Sequence, residues 1–140
     1  MDAAPEVLFA ALTTLDGLGA WWTPTVTGRP SEGGEVTFAF GDETVTMHVD
    51  RAEPFRLVRW TCLAHTRFPE WRGTSLQFDI GPAAGGRSVL AFRHTGLVPD
   101  LECYGVCSQG WTHYVTSLAT HVGGDGGRPW GSAMWRPARP

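Results

Sequence analysis

Lysine and asparagine are both missing from this chain, and isoleucine occurs once, at Ile80. Without a lysine amine, neither Schiff-base catalysis nor a lysine-anchored pyridoxal cofactor can be built. The basic side chains are eleven arginines scattered from Arg29 to Arg139, and the formal net charge is −3. With no basic stripe to neutralise phosphates, nucleic acid is not an expected partner. A basic set made only of arginine is what GC-rich codon usage yields, which points to a bacterial source. No apolar run approaches the roughly 20 residues that span a bilayer. Met1 leads into Asp2 rather than into a positive and then apolar leader. A cytoplasmic protein without a membrane span is the expectation. Cysteine is scarce: Cys62, Cys103 and Cys107 form an odd set with no Cys-x-x-Cys pair, so neither a disulfide framework nor a structural zinc site is expected. A Gly-x-Ser-x-Gly elbow, a Walker loop and a Gly-x-Gly-x-x-Gly turn after a strand are also missing. No metal and no cofactor are therefore expected.

What the chain has in plenty is large flat rings. Seven Trp and seven Phe stand against two Tyr in 140 residues, enough chain for one domain with a core of its own. Two of the tryptophans, Trp21 and Trp22, fall side by side after Gly17 and Gly19. Val7, Leu8, Ala11 and Leu12 recur at helical spacing behind Pro5 and Glu6, which predicts a short helix over 3–12. A second helical turn over 15–22, opened by Asp16 and ended by Pro24, places the Trp pair at a helix end. From Gly34 the period changes to two: Val36, Phe38 and Phe40 share one face, and Val45, Met47 and Val49 repeat the pattern after Gly41-Asp42. Three further strands carry Val58, Trp60 and Cys62, then Leu76, Phe78 and Ile80, then Leu90, Phe92 and His94. Five antiparallel strands in sequence predict a meander. Arg59, Gln77, Asp79 and Arg93 mark its wet face. Asp100 is the expected N-cap of a long helix, in which Cys107, Trp111, Tyr114, Val115, Leu118 and Val122 form the apolar stripe and Gly123-Gly124 the stop. Gly110 reads as a point of close approach beside Trp111. Residues 125–140 read as a Gly/Pro-rich tail, with Trp130, Met134 and Trp135 as side chains able to dock on the domain or on a neighbouring chain.

Helix, short helix ending in Trp-Trp, meander and long C-terminal helix is the helix-grip order. Carried by "APEVLFAALTTLDGLGAWWT", "GGEVTFAF", "AEPFRLVRWT", "RHTGL" and "GWTHYVTSLATHV", the chain resembles the START-like (SRPBCC) superfamily, and within it the bacterial branch similar to the activator of Hsp90 ATPase homologue family. The resemblance implies an α+β helix-grip domain over 1–124, with a curved antiparallel sheet wrapped around the long C-terminal helix. Family members usually open with a strand before the first helix, and here only Met1-Asp2 precede Ala3. An open sheet edge left by that strand, or the tail, could recruit a second copy as a homodimer.

In such a fold the expected cavity lies between the sheet and the last helix. Its candidate liners are Trp21, Trp22, Phe38, Phe40, Met47, Trp60, Phe78, Phe92, His94, Trp111 and Val115, with Val49, Cys62, Leu76, Leu90 and Leu118 around them; Trp21 and Trp22 are expected to cap one end. The expected partner is a small hydrophobic, aromatic or amphipathic molecule or a lipid. Strand phase turns His94 inward, either as a core imidazole bonded to a neighbour or as a ligand-orienting or acid/base group. Arg56, phased with Val58 and Trp60, is a candidate for a ligand carboxylate. His113 and His121 are expected in solvent, and Phe68 to Gly73 is expected as an aromatic loop over the mouth. Besides non-catalytic binding, the resemblance leaves two functions open: a polyketide cyclase/dehydrase-like enzyme using His94, and a chaperone-interaction module of the Hsp90-activator type.

Overall fold

The computed structural model describes residues 1–98 and 104–132. Two short helices come first, α1 (Pro5–Thr13) and α2 (Leu15–Trp21). Pro5 starts α1, and the buried stripe is Leu8, Ala11 and Leu12. Val7, expected in that stripe, is instead 49% exposed, because it follows one position off the i, i+3, i+4 face. The start of α2 is set by Thr14 rather than by Asp16: the Thr14 hydroxyl accepts from the Gly17 N–H at 3.0 Å. Gly17 is required there, since an added Cβ would lie 2.6 Å from the Ala11 Cα. The two helices thus lock together at their junction.

Six strands follow: β1 (Val26–Gly28), β2 (Glu35–Phe40), β3 (Glu43–Glu53), β4 (Leu57–His65), β5 (Ser75–Pro82) and β6 (Ser88–Thr95). They form one sheet in the order β1-β2-β3-β4-β5-β6, every neighbour antiparallel. The meander therefore holds six strands, not five; β1 is three residues long and too short to show a period. Its Val26 stands opposite Phe38. Register shifts between β3 and β4, at Thr46/Met47 and at Val49/Arg51, bend this long pair and curl the sheet. Val36, Phe38, Val45, Met47, Val49, Val58, Trp60, Cys62, Leu76 and Phe78 are all buried on the inner face. The outer face is polar: Asp50 accepts from the Thr61 hydroxyl, pairs with His48 at 2.7 Å and lies 3.8 Å from Arg59.

Helix α3 (Tyr104–Val122) lies against the inner face and buries Cys107, Trp111, Tyr114, Ser117, Leu118 and Val122. Its end is a Schellman cap: Asp125 N–H donates to the Thr120 carbonyl and Gly124 N–H to that of His121, with Gly124 at φ +94°. Gly110 has nothing within 4 Å of an added Cβ, so the expected close approach is not there. This is an α+β helix-grip fold. The edge at β6 carries one further pairing, in which Met1 and Ser88 exchange backbone hydrogen bonds through the Met1 amine (2.5 Å) and the Ser88 N–H (3.1 Å).

Beyond the cap, the chain returns across the end of the grip as a strap. Gly127 packs where a Cβ would lie 2.2 Å from the Ala20 carbonyl, and Arg128 N–H donates to the Ser117 hydroxyl at 2.6 Å. That hydroxyl donates in turn to the Trp21 carbonyl at 2.8 Å, and the Trp130 N–H donates to the Trp22 carbonyl at 2.7 Å. The Trp130 ring meets Phe40 edge-on at 6.1 Å. Strap and helix together satisfy the orphan carbonyls at the end of α2. His113, expected in solvent, is drawn into this contact by a 2.7 Å hydrogen bond with the Arg128 carbonyl. Asp100, Cys103, Met134 and Trp135 lie outside the described residues.

Candidate ligand site

Most of the predicted liners meet in one aromatic cluster between sheet and α3. At its centre is Trp22, 2% exposed, with ring centroids 4.2 Å from Phe38, 5.1 Å from Trp111, 5.7 Å from Phe40, 6.0 Å from Trp60 and 6.2 Å from Tyr114. The expected capping role at one end does not describe it: the residue ends α2, and the helix end points into the grip. Trp21 stacks on its other side at 5.8 Å and faces Phe78, while its indole N–H donates to the Ala11 carbonyl at 2.9 Å. That residue fastens α2 to α1. The indoles of Trp21, Trp22 and Trp60 run nearly parallel, with interplanar angles of 11° and 2°. Met47 is fully buried beside them on β3, opposite Val36 and Cys62. Burial pushes the Cys62 thiol up to about 11, although its bond to the Ala64 carbonyl works the other way. Tyr114 is likewise raised by burial.

The cluster closes tightly on one side and loosely on the other. On β5 the inward residues Leu76, Phe78 and Ile80 are buried. Along β6 the inward set Leu90, Phe92 and His94 keeps partial solvent contact, as does Val115 on α3. Phe92 bridges the two zones, 5.1 Å from Phe78 and 4.8 Å from Trp111. Arg56 is not at this mouth. It pairs with Glu53 at 2.9 Å on the outer surface, because the β3–β4 turn carries it past the end of the sheet. A separate open groove lined by Val7, Ala10, Ala11 and Gly17, with Glu6, Asp16 and His121 at its rim, lies on the α1–α2 surface away from these residues.

His94 is held by two groups, one on α3 and one on the turn before β5. The Trp111 indole can only donate, so its 3.1 Å contact makes His94 Nδ1 the acceptor and leaves the proton on Nε2. Nε2–H then donates to the Thr74 hydroxyl at 2.9 Å, which donates to the Trp71 carbonyl at 2.5 Å. A proton on Nδ1 would face the indole N–H, donor against donor. Burial, together with the neighbouring His65, lowers the His94 pKa to about 4. His65 is lowered to about 4 as well, by burial against the opposing pull of Glu43 and Glu70. Its Nδ1 accepts the backbone N–H groups of Phe68 (3.0 Å) and Arg67 (3.2 Å). Both imidazoles are neutral near pH 7.

Trp71, absent from the predicted liners, sits between them. It is buried by a single 3-10 turn (Pro69–Trp71), and its ring lies 4.6 Å from His94, 4.7 Å from His65 and 5.9 Å from Trp111. Its indole N–H donates to Cys107 Sγ at 3.2 Å. The aromatic loop at 68–73 thus places a plug inside the grip, a role visible only as a Trp among turn residues. Thr74 and His65 had no sequence signal of their own. Among the described residues, no three His, Cys, Asp or Glu side chains cluster to hold a metal ion, and no helix is long and apolar enough to cross a membrane.

The architecture has solved counterparts. The Aha1 dimer from Colwellia psychrerythraea is 26% identical, with a TM-score of 0.78 over 89% of this chain and 92% of its own. Protein MLL2253 from Mesorhizobium loti is 24% identical, with a TM-score of 0.70 over 84% and 88% of the two chains. CalU16 from Micromonospora echinospora shares the fold at 18% identity, with a TM-score of 0.72 over 99% of this chain and 71% of that one. No curated protein matches the sequence. The family model for activator of Hsp90 ATPase homolog 1-like protein matches residues 2–123, the whole span from α1 through α3. The chain belongs to that family.

Proposed function

We propose that the protein binds a small apolar or amphipathic molecule inside the grip, in the cytoplasm and without chemistry of its own. The observation that carries this reading is the contrast between the sealed inward face of β5 and the half-open one of β6, where Leu90, Phe92 and His94 stand on an otherwise aromatic interior. Apolar walls with one or two fixed polar groups are the usual make-up of a ligand site. His94 supports the non-catalytic side of the reading, because both ring nitrogens are engaged and protonation is disfavoured near neutrality. An acid/base role in a cyclase-like reaction would need one of them free for substrate.

The test is thermal shift against a panel of lipids and aromatic metabolites. A bound member at 100 times its dissociation constant adds about 2.7 kcal/mol. Phe92→Asp should abolish that shift. A panel in which nothing raises the melting temperature rejects the function.

A second reading concerns assembly. Among the described residues, the outer edge of β6 pairs only with Met1, at Ser88, and a relative of the same fold is a dimer. We propose that two copies associate through this edge. Sedimentation velocity should then show a concentration-dependent dimer, and a monomer at every concentration would reject it.

A further inference from the structure

The polar end of Trp60 donates to nothing. The residue is fully buried, and its Nε1–H has no acceptor within reach among the described residues. Buried N–H groups are almost always paired, because an unmade hydrogen bond in an apolar interior forfeits solvation without return. Three other indoles of the cluster obey this rule: Trp21 donates to the Ala11 carbonyl, Trp71 to Cys107 Sγ and Trp111 to His94 Nδ1. Trp60 is the exception in the same cluster. Its surroundings are apolar, with Trp22 parallel at 6.0 Å, Phe78 edge-on at 5.0 Å, Phe38 at 5.8 Å, and Val49 and Leu76 opposite it on the adjacent strands.

Resting on the binding function proposed above, we infer that the Trp60 N–H is the recognition donor of this site. Its ligand is then a neutral, flat aromatic molecule that carries a hydrogen-bond acceptor on its rim. Flatness follows from the rings that crowd the donor, Trp22, Phe38 and Phe78, which a planar guest displaces least. Neutrality follows from the buried polar set, which among the described residues is Thr23, Thr74, Ser75, Ser88 and Ser117 and includes no charged side chain. The acceptor follows from the orphan donor, since a site built with a buried donor discriminates against an analogue that leaves it unpaired. The route from the half-open side runs past Phe92 and Phe78, so entry requires those two rings to turn.

Fluorenone and fluorene form a matched pair for the test: the same tricyclic plane, with and without a carbonyl oxygen. The full chain should bind fluorenone about ten- to a hundredfold more tightly than fluorene. Trp60→Phe, which keeps a ring and removes the donor, should erase that preference. In chain labelled with 15N-tryptophan, one indole resonance should move downfield with fluorenone and stay in place with fluorene; this reads the same contact where Trp60→Phe fails to fold. Equal affinities for the two probes, or binding of other apolar molecules but of neither probe, overturn the donor assignment and leave the binding function standing. No binding by any member of the apolar panel removes the function itself.

Discussion

Lowering the pH from 7 to 4 loads protons onto His65 and His94 in the unfolded chain before the folded chain accepts them. Each ring titrates from 6.5 down to about 4 on folding, so the neutral form is the one the fold favours. The contribution to stability is therefore complete above pH 6.5, is lost as the pH falls toward 4, and changes no further below that. At roughly 1.4 kcal/mol per pH unit the full effect is on the order of 3 kcal/mol for each ring. Both rings keep partial contact with solvent, which screens the effect to about half, or about 1.5–2 kcal/mol apiece. Two such losses are a large part of the 5–15 kcal/mol typical of a domain. The assay is urea unfolding followed by tryptophan fluorescence at half-unit pH steps, with His94→Gln as the control. Glutamine offers a neutral donor and acceptor in place of the imidazole and does not titrate. Between pH 6.5 and 4 the variant should lose about 1.5–2 kcal/mol less than the native chain. Parallel losses in the two proteins would refute the claim that burial, with His65 beside it, holds His94 neutral.

Three further outcomes follow from the packing. Trp22→Ala removes the ring on which the cluster converges and should cost about 3–5 kcal/mol in chemical denaturation; added indole should restore part of the loss, and a cost under about 1 kcal/mol would show that Trp22 is peripheral. Gly110→Ala fills open space on a helix and should stabilise by about 0.5–1 kcal/mol in thermal melts, whereas a destabilised variant would mean α3 packs closely at that point. Gly127→Ala drives a Cβ into the Ala20 carbonyl, so the strap should detach. Limited proteolysis between 126 and 132 should then speed up while the global melting temperature falls only a few degrees, and unchanged cleavage would deny the tight fit.

The parts of this fold readable from sequence are those in which one periodicity governs many residues. The alternation of Val45, Met47 and Val49, and the stripe from Cys107 to Val122, each place several side chains at once, and the structure buries all of these except Val115, which stays half-buried. Single contacts between distant elements carried no such signal. Trp71 sits in a Pro-Glu-Trp-Arg turn with nothing periodic about it, yet it enters the grip because the 3-10 turn points it there. The inward direction of His94 follows from strand phase, but its partners Trp111 and Thr74 come from a helix and a turn whose approach depends on the whole fold. Trp21 and Trp22 look equivalent in sequence and are not. One indole is spent on a carbonyl of α1, and the other is free to enter the cluster because the helix ends between them. The docking of Trp130 turned on a serine hydroxyl and two helix-end carbonyls, groups that any sequence offers in number.

The carbonyl ends of α2 receive their donors from Ser117 and Trp130, the first of these bonds spanning 96 residues of chain. The backbone of the Trp pair is therefore tied down only once α3 and the strap have docked on it. Contacts of such long separation form late in folding, because the loop that joins them must first be closed. The sheet can assemble while this corner is still unfastened, so the fastening of the Trp pair belongs among the late steps of folding.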